Sequence, residues 1–405
     1  MRKARLVAVC AGLAVIVALA GCTATMQQTT DESEELTQIA ASGTTEPQSE
    51  GALSPAQRKA ANAAEFLRVR EIGKAIENYQ QAIELDPSYV ESYYGLGRIY
   101  LVETQDFDKA LQMYETARDI APNDAYSHAS LAYAYSLTGN YQDSVREYVE
   151  AVQIDPESAD SFLNLGYAYE KMQMDLAALN AYRRAAELAP GDARAVQQLA
   201  QLYYRSELYD QAINAYERLR GFGSASTYTL KTLGFLYMKV GRYPEAETIF
   251  LTVLQKEPND IASRANLASV YRAMGQTAKA TEQFEYLASA NPNDPQYMAA
   301  LADAYVDAGS YGLAIQTAQR LLQISPGNGS AYLSWAKALE KQGDALVTSG
   351  QFDEGIAKYE EAIGRLERAR SDASWRAQAD REIARQQSLI EIANNRKLRN
   401  IWDQQ

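Results

Sequence analysis

The chain has 405 residues, 47% of them hydrophobic and 22% charged, a globular composition that excludes wholesale disorder. Its 39 Lys and Arg against 52 Asp and Glu leave a net charge of −13, the wrong sign for holding phosphates, so nucleic acid is excluded as a partner. A single His rules out a His-rich metal site and disfavours His acid–base chemistry, while 28 Tyr against 8 Phe is an imbalance that needs a reason.

The N-terminus comes first in chain order. Arg2, Lys3 and Arg5 precede an apolar run from Leu6 to Ala18, too short to span a bilayer as a permanent helix. The run ends in Leu19-Ala20-Gly21-Cys22, and Cys10 and Cys22 are the only cysteines, so the folded part has no disulfide framework. This segment resembles a bacterial lipoprotein signal. The resemblance implies that residues 1–21 are a signal peptide, and that the Cys22 thiol takes diacylglycerol, with palmitate among its acyl chains. An ordinary secretory signal cut after Ala20 is the alternative. Thr23, not Asp, follows the cysteine, which by the same resemblance implies the periplasmic face of the outer membrane in a Gram-negative host. In any other host it implies the exported side of the cell membrane. Residues 22–53 beyond the cysteine hold no aromatic residue and no Lys or Arg, and read as a disordered tether.

From residue 54 to 363 the sequence repeats. Pro87, Pro122, Pro156, Pro190, Pro258, Pro292 and Pro326 form a ladder on a beat of 34, with one step of 35 at the start and Ser224 where a rung is missing. Leucines keep the same beat (Leu96, Leu131, Leu165, Leu199, Leu233, Leu267, Leu301), and tyrosines follow four residues on, from Tyr100 to Tyr305. Each unit predicts two amphipathic helices. Phe162, Leu165, Gly166 and Tyr169 share one face, Ala178, Tyr182 and Ala185 share the next, and Pro190 stops it. Small residues such as Gly97, Ala132, Gly166 and Ala200 fall where helices must approach closely.

The pattern resembles the tetratricopeptide repeat (TPR), with Tyr often standing for Trp and Phe. The resemblance implies an all-α, right-handed superhelical solenoid of about nine helix–turn–helix repeats. The second unit carries one extra residue. The ninth is seven residues longer, nearly two helical turns, so its buried face keeps its direction. Residues 364–405 read as a C-terminal cap, and 372–402 hold no repeat. There Asp372, Trp375, Ala379, Ile383, Ile390, Ala393 and Ile401 suggest one long helix capping the last repeat.

Most tyrosines occupy packing slots. In this family the first helices line a concave groove, and the resemblance places these residues in the groove-facing slots: Tyr94 and Arg98; Tyr126 and Tyr133; Asn164, Tyr167 and Lys171; Arg194, Tyr204 and Arg205; Tyr228, Lys231, Phe235 and Lys239. Rigid aromatics beside cations are the composition of interaction hot spots, and packing between neighbouring helices is the plainer alternative. The Lys/Asn clamp with which some family members hold a peptide C-terminus is incomplete around both Asn164 and Asn266.

No phosphate loop, nucleophile elbow, metalloprotease helix or Cys pair occurs, and His128, in the slot often held by Trp, has no paired nucleophile. The sequence therefore predicts no enzyme, no cofactor and no metal. It predicts a lipid-anchored scaffold whose groove binds envelope protein partners and which touches the membrane through its N-terminal lipid only. By resemblance, such scaffolds assist pilus or secretin assembly, cell-wall hydrolases or polysaccharide export. Glycan binding by the groove aromatics, and self-association of the solenoid, are the alternatives.

Overall fold

The computed structural model describes residues 53–223 and 225–403. Residues 1–21, Cys22, the tether to residue 52, and Ser224 lie outside them. Every regular element among the described residues is a helix, and the chain divides into two units after Ala225.

The first unit holds five helix pairs. They are α1 (Pro55–Arg68) with α2 (Ile72–Leu85), α3 (Val90–Arg98) with α4 (Phe107–Ile120), and α5 (Ala125–Leu137) with α6 (Tyr141–Ile154). They continue with α7 (Ala159–Lys171) and α8 (Asp175–Leu188), then α9 (Ala193–Arg205) and α10 (Tyr209–Gly221). The second unit holds four pairs: α11 (Thr227–Lys239) with α12 (Tyr243–Lys256), α13 (Ile261–Ala273) with α14 (Thr277–Ala290), α15 (Pro295–Asp307) with α16 (Tyr311–Ile324), and α17 (Gly329–Thr348) with α18 (Phe352–Ala369). A final helix, α19 (Arg376–Asp403), follows.

Local chemistry sets each boundary. Two residues past every ladder position except the first, where Tyr89 follows Pro87 and makes no side-chain cap, stands a short polar side chain that caps the next first helix. Asp124, Ser158, Asp192, Ser226, Asp260, Asp294 and Asn328 each accept a first-turn backbone N–H. Within each pair, one residue of the turn sits in the left-handed region. It is glycine in five pairs (Gly139, Gly241, Gly275, Gly309, Gly350) but Arg70, Gln105, Gln173 and Glu207 in the others. In the third to eighth pairs the turn closes as a Schellman motif onto the carbonyl of the ladder tyrosine, as in Met174 N–H to Tyr169 O at 2.9 Å and Arg242 N–H to Tyr237 O at 2.8 Å, and the first and last pairs close in the same way onto Phe66 and Leu346.

The second pair shows where its extra residue went. After α3 the backbone widens into a π-turn over Ile99–Glu103, and the closing bond from Asp106 N–H reaches Tyr100 O, one residue further back than in the other pairs. The insertion is absorbed within the helix, so the next pair starts in phase.

Packing follows the small-to-large rule read from the sequence. Tyr114, Tyr148, Tyr182 and Tyr216 of the second helices are buried against the first helices. A Cβ on Gly97 would stand 2.8 Å from the Tyr114 ring, and one on Gly166 2.5 Å from the Tyr182 ring. Phe250 fills the same place beside Gly234, and Tyr359 beside Gly343. Burying each ring removes apolar surface worth about 1.5–3 kcal/mol.

α17 has 20 residues against 13 in α15. α19 lies along the last pair and buries Ala379, Gln386 and Ala393. The helix begins later than its sequence pattern suggests, because Asp372 and Trp375 are used in the turn before it. Asp372 accepts the Gly329 N–H at 3.2 Å, and the Trp375 ring covers the glycine where a Cβ would stand only 2.6 Å away. Ile401, expected on the buried face, is exposed.

Candidate functional site

In the first unit, residues facing out of α3, α5 and α7 converge on one cleft of about 210 Å3. α3 and its π-turn supply Arg98, Leu101 and Val102, α5 supplies Tyr126, Ala129 and Tyr133, and α7 supplies Asp160 and Asn164. An inserted residue turns whatever follows by up to ~100° relative to an unbroken α-helix. Leu101 and Val102, which sit in the π-turn that absorbs it, reach the cleft. Tyr114 and Tyr148, read from the sequence as packing residues, are packed and also contribute to its wall.

Four of the expected groove residues, Arg98, Tyr126, Tyr133 and Asn164, thus line this cleft. Tyr126 is 40% exposed and meets Tyr94 edge-on, with ring centroids 4.8 Å apart. Tyr94 itself is spent on joining adjacent repeats, since its hydroxyl donates to Asp124 and lies 2.5 Å from Ser127 Oγ. Burial first, and the bond to the Asp124 carboxylate second, push the Tyr94 phenol well above its ordinary value.

The other expected cations of the first unit are engaged. Arg194 pairs with Asp192 and with Asp160, each at 2.7 Å, and Arg205 pairs with Glu170 at 2.9 Å. Lys171 lies over the Tyr167 ring, 4.8 Å from its centroid. Tyr204 is half-buried on α9. The remaining candidates belong to the second unit. There Tyr228 is exposed, Lys231 bonds Asp260 at 2.7 Å and Glu257 at 3.2 Å, and Lys239 lies over the Phe235 ring at 5.3 Å. Arg98 differs from these cations, because its side chain makes no hydrogen bond or ion pair with any described residue.

Sequence reasoning missed Leu101, Val102, Tyr114 and Tyr148 as cleft residues. The one signal available was the 35-residue step from Pro87 to Pro122, which located an insertion in this repeat without its position. His128 is buried as a packing residue, and it also contacts Glu147, which the sequence did not suggest. Among the described residues no helix is long and apolar enough to cross a membrane.

Three protein-family models match the chain. One described as TPR repeat matches residues 71–102 and 137–173, and one described as tetratricopeptide repeat matches 90–124 and 159–192. A third, for the Psidin N-terminal TPR repeats region, matches 224–339. Similar solved structures include the MamA protein, at 27% identity and a TM-score of 0.39, with 42% of this chain and 92% of that one covered. PilF of Pseudomonas aeruginosa shares 18% identity at a TM-score of 0.43, covering 52% of this chain and 95% of that one. YrrB, described as a TPR protein with an unusual peptide-binding site, shares 19% identity at 0.40, covering 45% and 95%. No curated protein matches the sequence.

Proposed function

We propose that this chain of tetratricopeptide repeats is a lipid-anchored scaffold of the bacterial envelope that holds a protein partner in the α3–α5–α7 cleft. The observation that carries the reading is the cleft itself: exposed and half-buried aromatics line it beside a cation that the fold leaves unpaired. Rigid rings lose little conformational entropy on contact, and an unpaired guanidinium gains from an incoming acceptor. Such a surface favours association over catalysis, since nothing in the cleft pairs a nucleophile with a base. The anchoring half of the proposal rests on the sequence around Cys22, with the tether carrying the repeats away from the lipid.

Cross-linked capture from the protein's own envelope tests the scaffold, comparing the native chain with a Tyr126→Ala/Tyr133→Ala variant that keeps its helical signal. One polypeptide enriched by the native chain and lost with the variant is expected. Equal recovery from both would overturn the cleft as the binding surface. Retention on glycan without any copurifying polypeptide, or mass that rises with concentration alone, would replace the scaffold by one of the alternative readings. Cys22→Ser is expected to release the protein from the membrane fraction.

A further inference from the structure

Resting on that reading, we propose that the α3–α5–α7 cleft selects a partner segment in which one large apolar side chain is flanked by an acid on one side and a base on the other. The cleft is charge-ordered. Arg98 stands at the end of α3, half-buried, and its side chain makes no hydrogen bond or ion pair to any described residue. Asp155, in the turn between α6 and α7, accepts the Glu157 N–H at 3.0 Å but meets no described cation. These two opposite charges come from different repeats and do not pair with each other. The neighbouring Asp160 is already neutralised by Arg194 at 2.7 Å. Leu101, Val102 and Tyr126 supply apolar surface in the same cleft.

Tyr148 adds an independent sign of a missing ligand. It is 1% exposed, it lines the cleft, and its hydroxyl has no hydrogen-bond partner. A buried hydroxyl without a partner is costly, and the corresponding tyrosine one repeat later does not bear that cost. Tyr182 donates to Glu170, twelve residues before it, at 2.8 Å. At the same offset from Tyr148 stands Ser136, whose hydroxyl instead donates to the Tyr133 carbonyl at 2.7 Å. Burial raises the Tyr148 phenol well above its ordinary value, so it stays a neutral donor. A main-chain carbonyl of an inserted segment supplies the acceptor it lacks. A segment of one sign fits worse at either charge, and an all-acidic one also meets the −13 of the whole chain.

The test is fluorescence anisotropy of the full mature chain with short labelled peptides centred on Phe. Two carry Glu and Lys on opposite sides, in either order, and three controls carry two Glu, two Lys or no charge. One mixed order is expected to bind about tenfold more tightly than every control. Arg98→Glu should move the preference to the two-Lys peptide. Tyr148→Phe, which keeps the packed ring, should weaken binding about fivefold, the worth of one hydrogen bond, and leave the charge preference unchanged. Equal binding of the uncharged peptide, with Arg98→Glu indifferent, would overturn the charge order and leave the scaffold standing. Silence from all five peptides while the native chain still captures a protein partner would overturn it as well. Loss of capture itself is read in the envelope experiment and belongs to the scaffold proposal.

Discussion

His128 and Glu147 form a buried pair within the third helix pair. The Nδ1 of His128 lies 2.8 Å from Glu147 Oε2, and its Nε2 lies 3.1 Å from the Pro122 carbonyl. Glu147 is almost fully buried and also faces Arg118 at 3.4 Å and Arg146 at 3.6 Å. His128→Phe keeps an aromatic ring in the slot and removes a close partner from a buried carboxylate. It should lower stability by about 1–3 kcal/mol, read as a lower urea midpoint of the first unit. An unchanged midpoint would mean that the two arginines suffice.

The left-handed turn residues offer a gain. Gln173 sits at φ 59° where other pairs use glycine. Gln173→Gly should therefore stabilise by about 0.5–1 kcal/mol, the strain relieved less the entropy a glycine adds to the unfolded chain. Thermal unfolding decides it, and a lower melting temperature would show that Gln173 makes a compensating contact.

Asp260 gives the second unit an acid limit. Burial works to raise its carboxyl, but bonds from Lys231 and from the Ser263 side chain and N–H outweigh this and hold it below the ordinary value. A carboxyl depressed in the folded state stabilises above its unfolded value of about 4, and that stability is lost as pH falls through the folded value. Stability should be flat with respect to this group above about pH 5 and fall on acidification below about pH 4. Asp260→Asn should shallow that fall, and an identical acid limb in the variant would refute the assignment.

One buried carboxylate ties the final helix to α17. Glu340 of α17 accepts Arg385 Nη2 at 2.7 Å and Gln386 Nε2 at 2.5 Å. Arg385→Ala/Gln386→Ala leaves that carboxylate with Lys341 at 3.6 Å as its remaining cation. Limited proteolysis should then cut within α19 sooner than in the native chain, while sites in the first unit keep their rate. Equal rates in α19 would place the hold of the helix in its apolar contacts and its outer ion pairs, Arg370 with Asp380 and Lys397 with Asp353.

The helix pairs were legible because the leucine, tyrosine and proline ladders share one beat, and each marks a position with its own steric demand. Gly166 against Tyr182 is the plainest instance. The pairing of charges was less legible, because a slot gives a residue type and not the neighbour within its reach. Arg194 and Asp160 occupy the same slot of successive repeats and could have been matched across 34 residues. Nothing comparable pointed from His128 to Glu147. The cleft was half visible: Tyr126, Tyr133, Asn164 and Arg98 could be read from slots, but Leu101 and Val102 enter through a helix distortion that leaves no local composition signal.

The π-turn at Ile99–Glu103 also bears on how such a chain tolerates change. In a domain with a single interlocked core, an added residue in a buried helix displaces partners far along the sequence. Here each pair meets mainly its neighbours, and the surplus is confined to one turn of backbone. An indel becomes a local edit, able to resculpt one stretch of surface while the proline beat downstream resumes at 34.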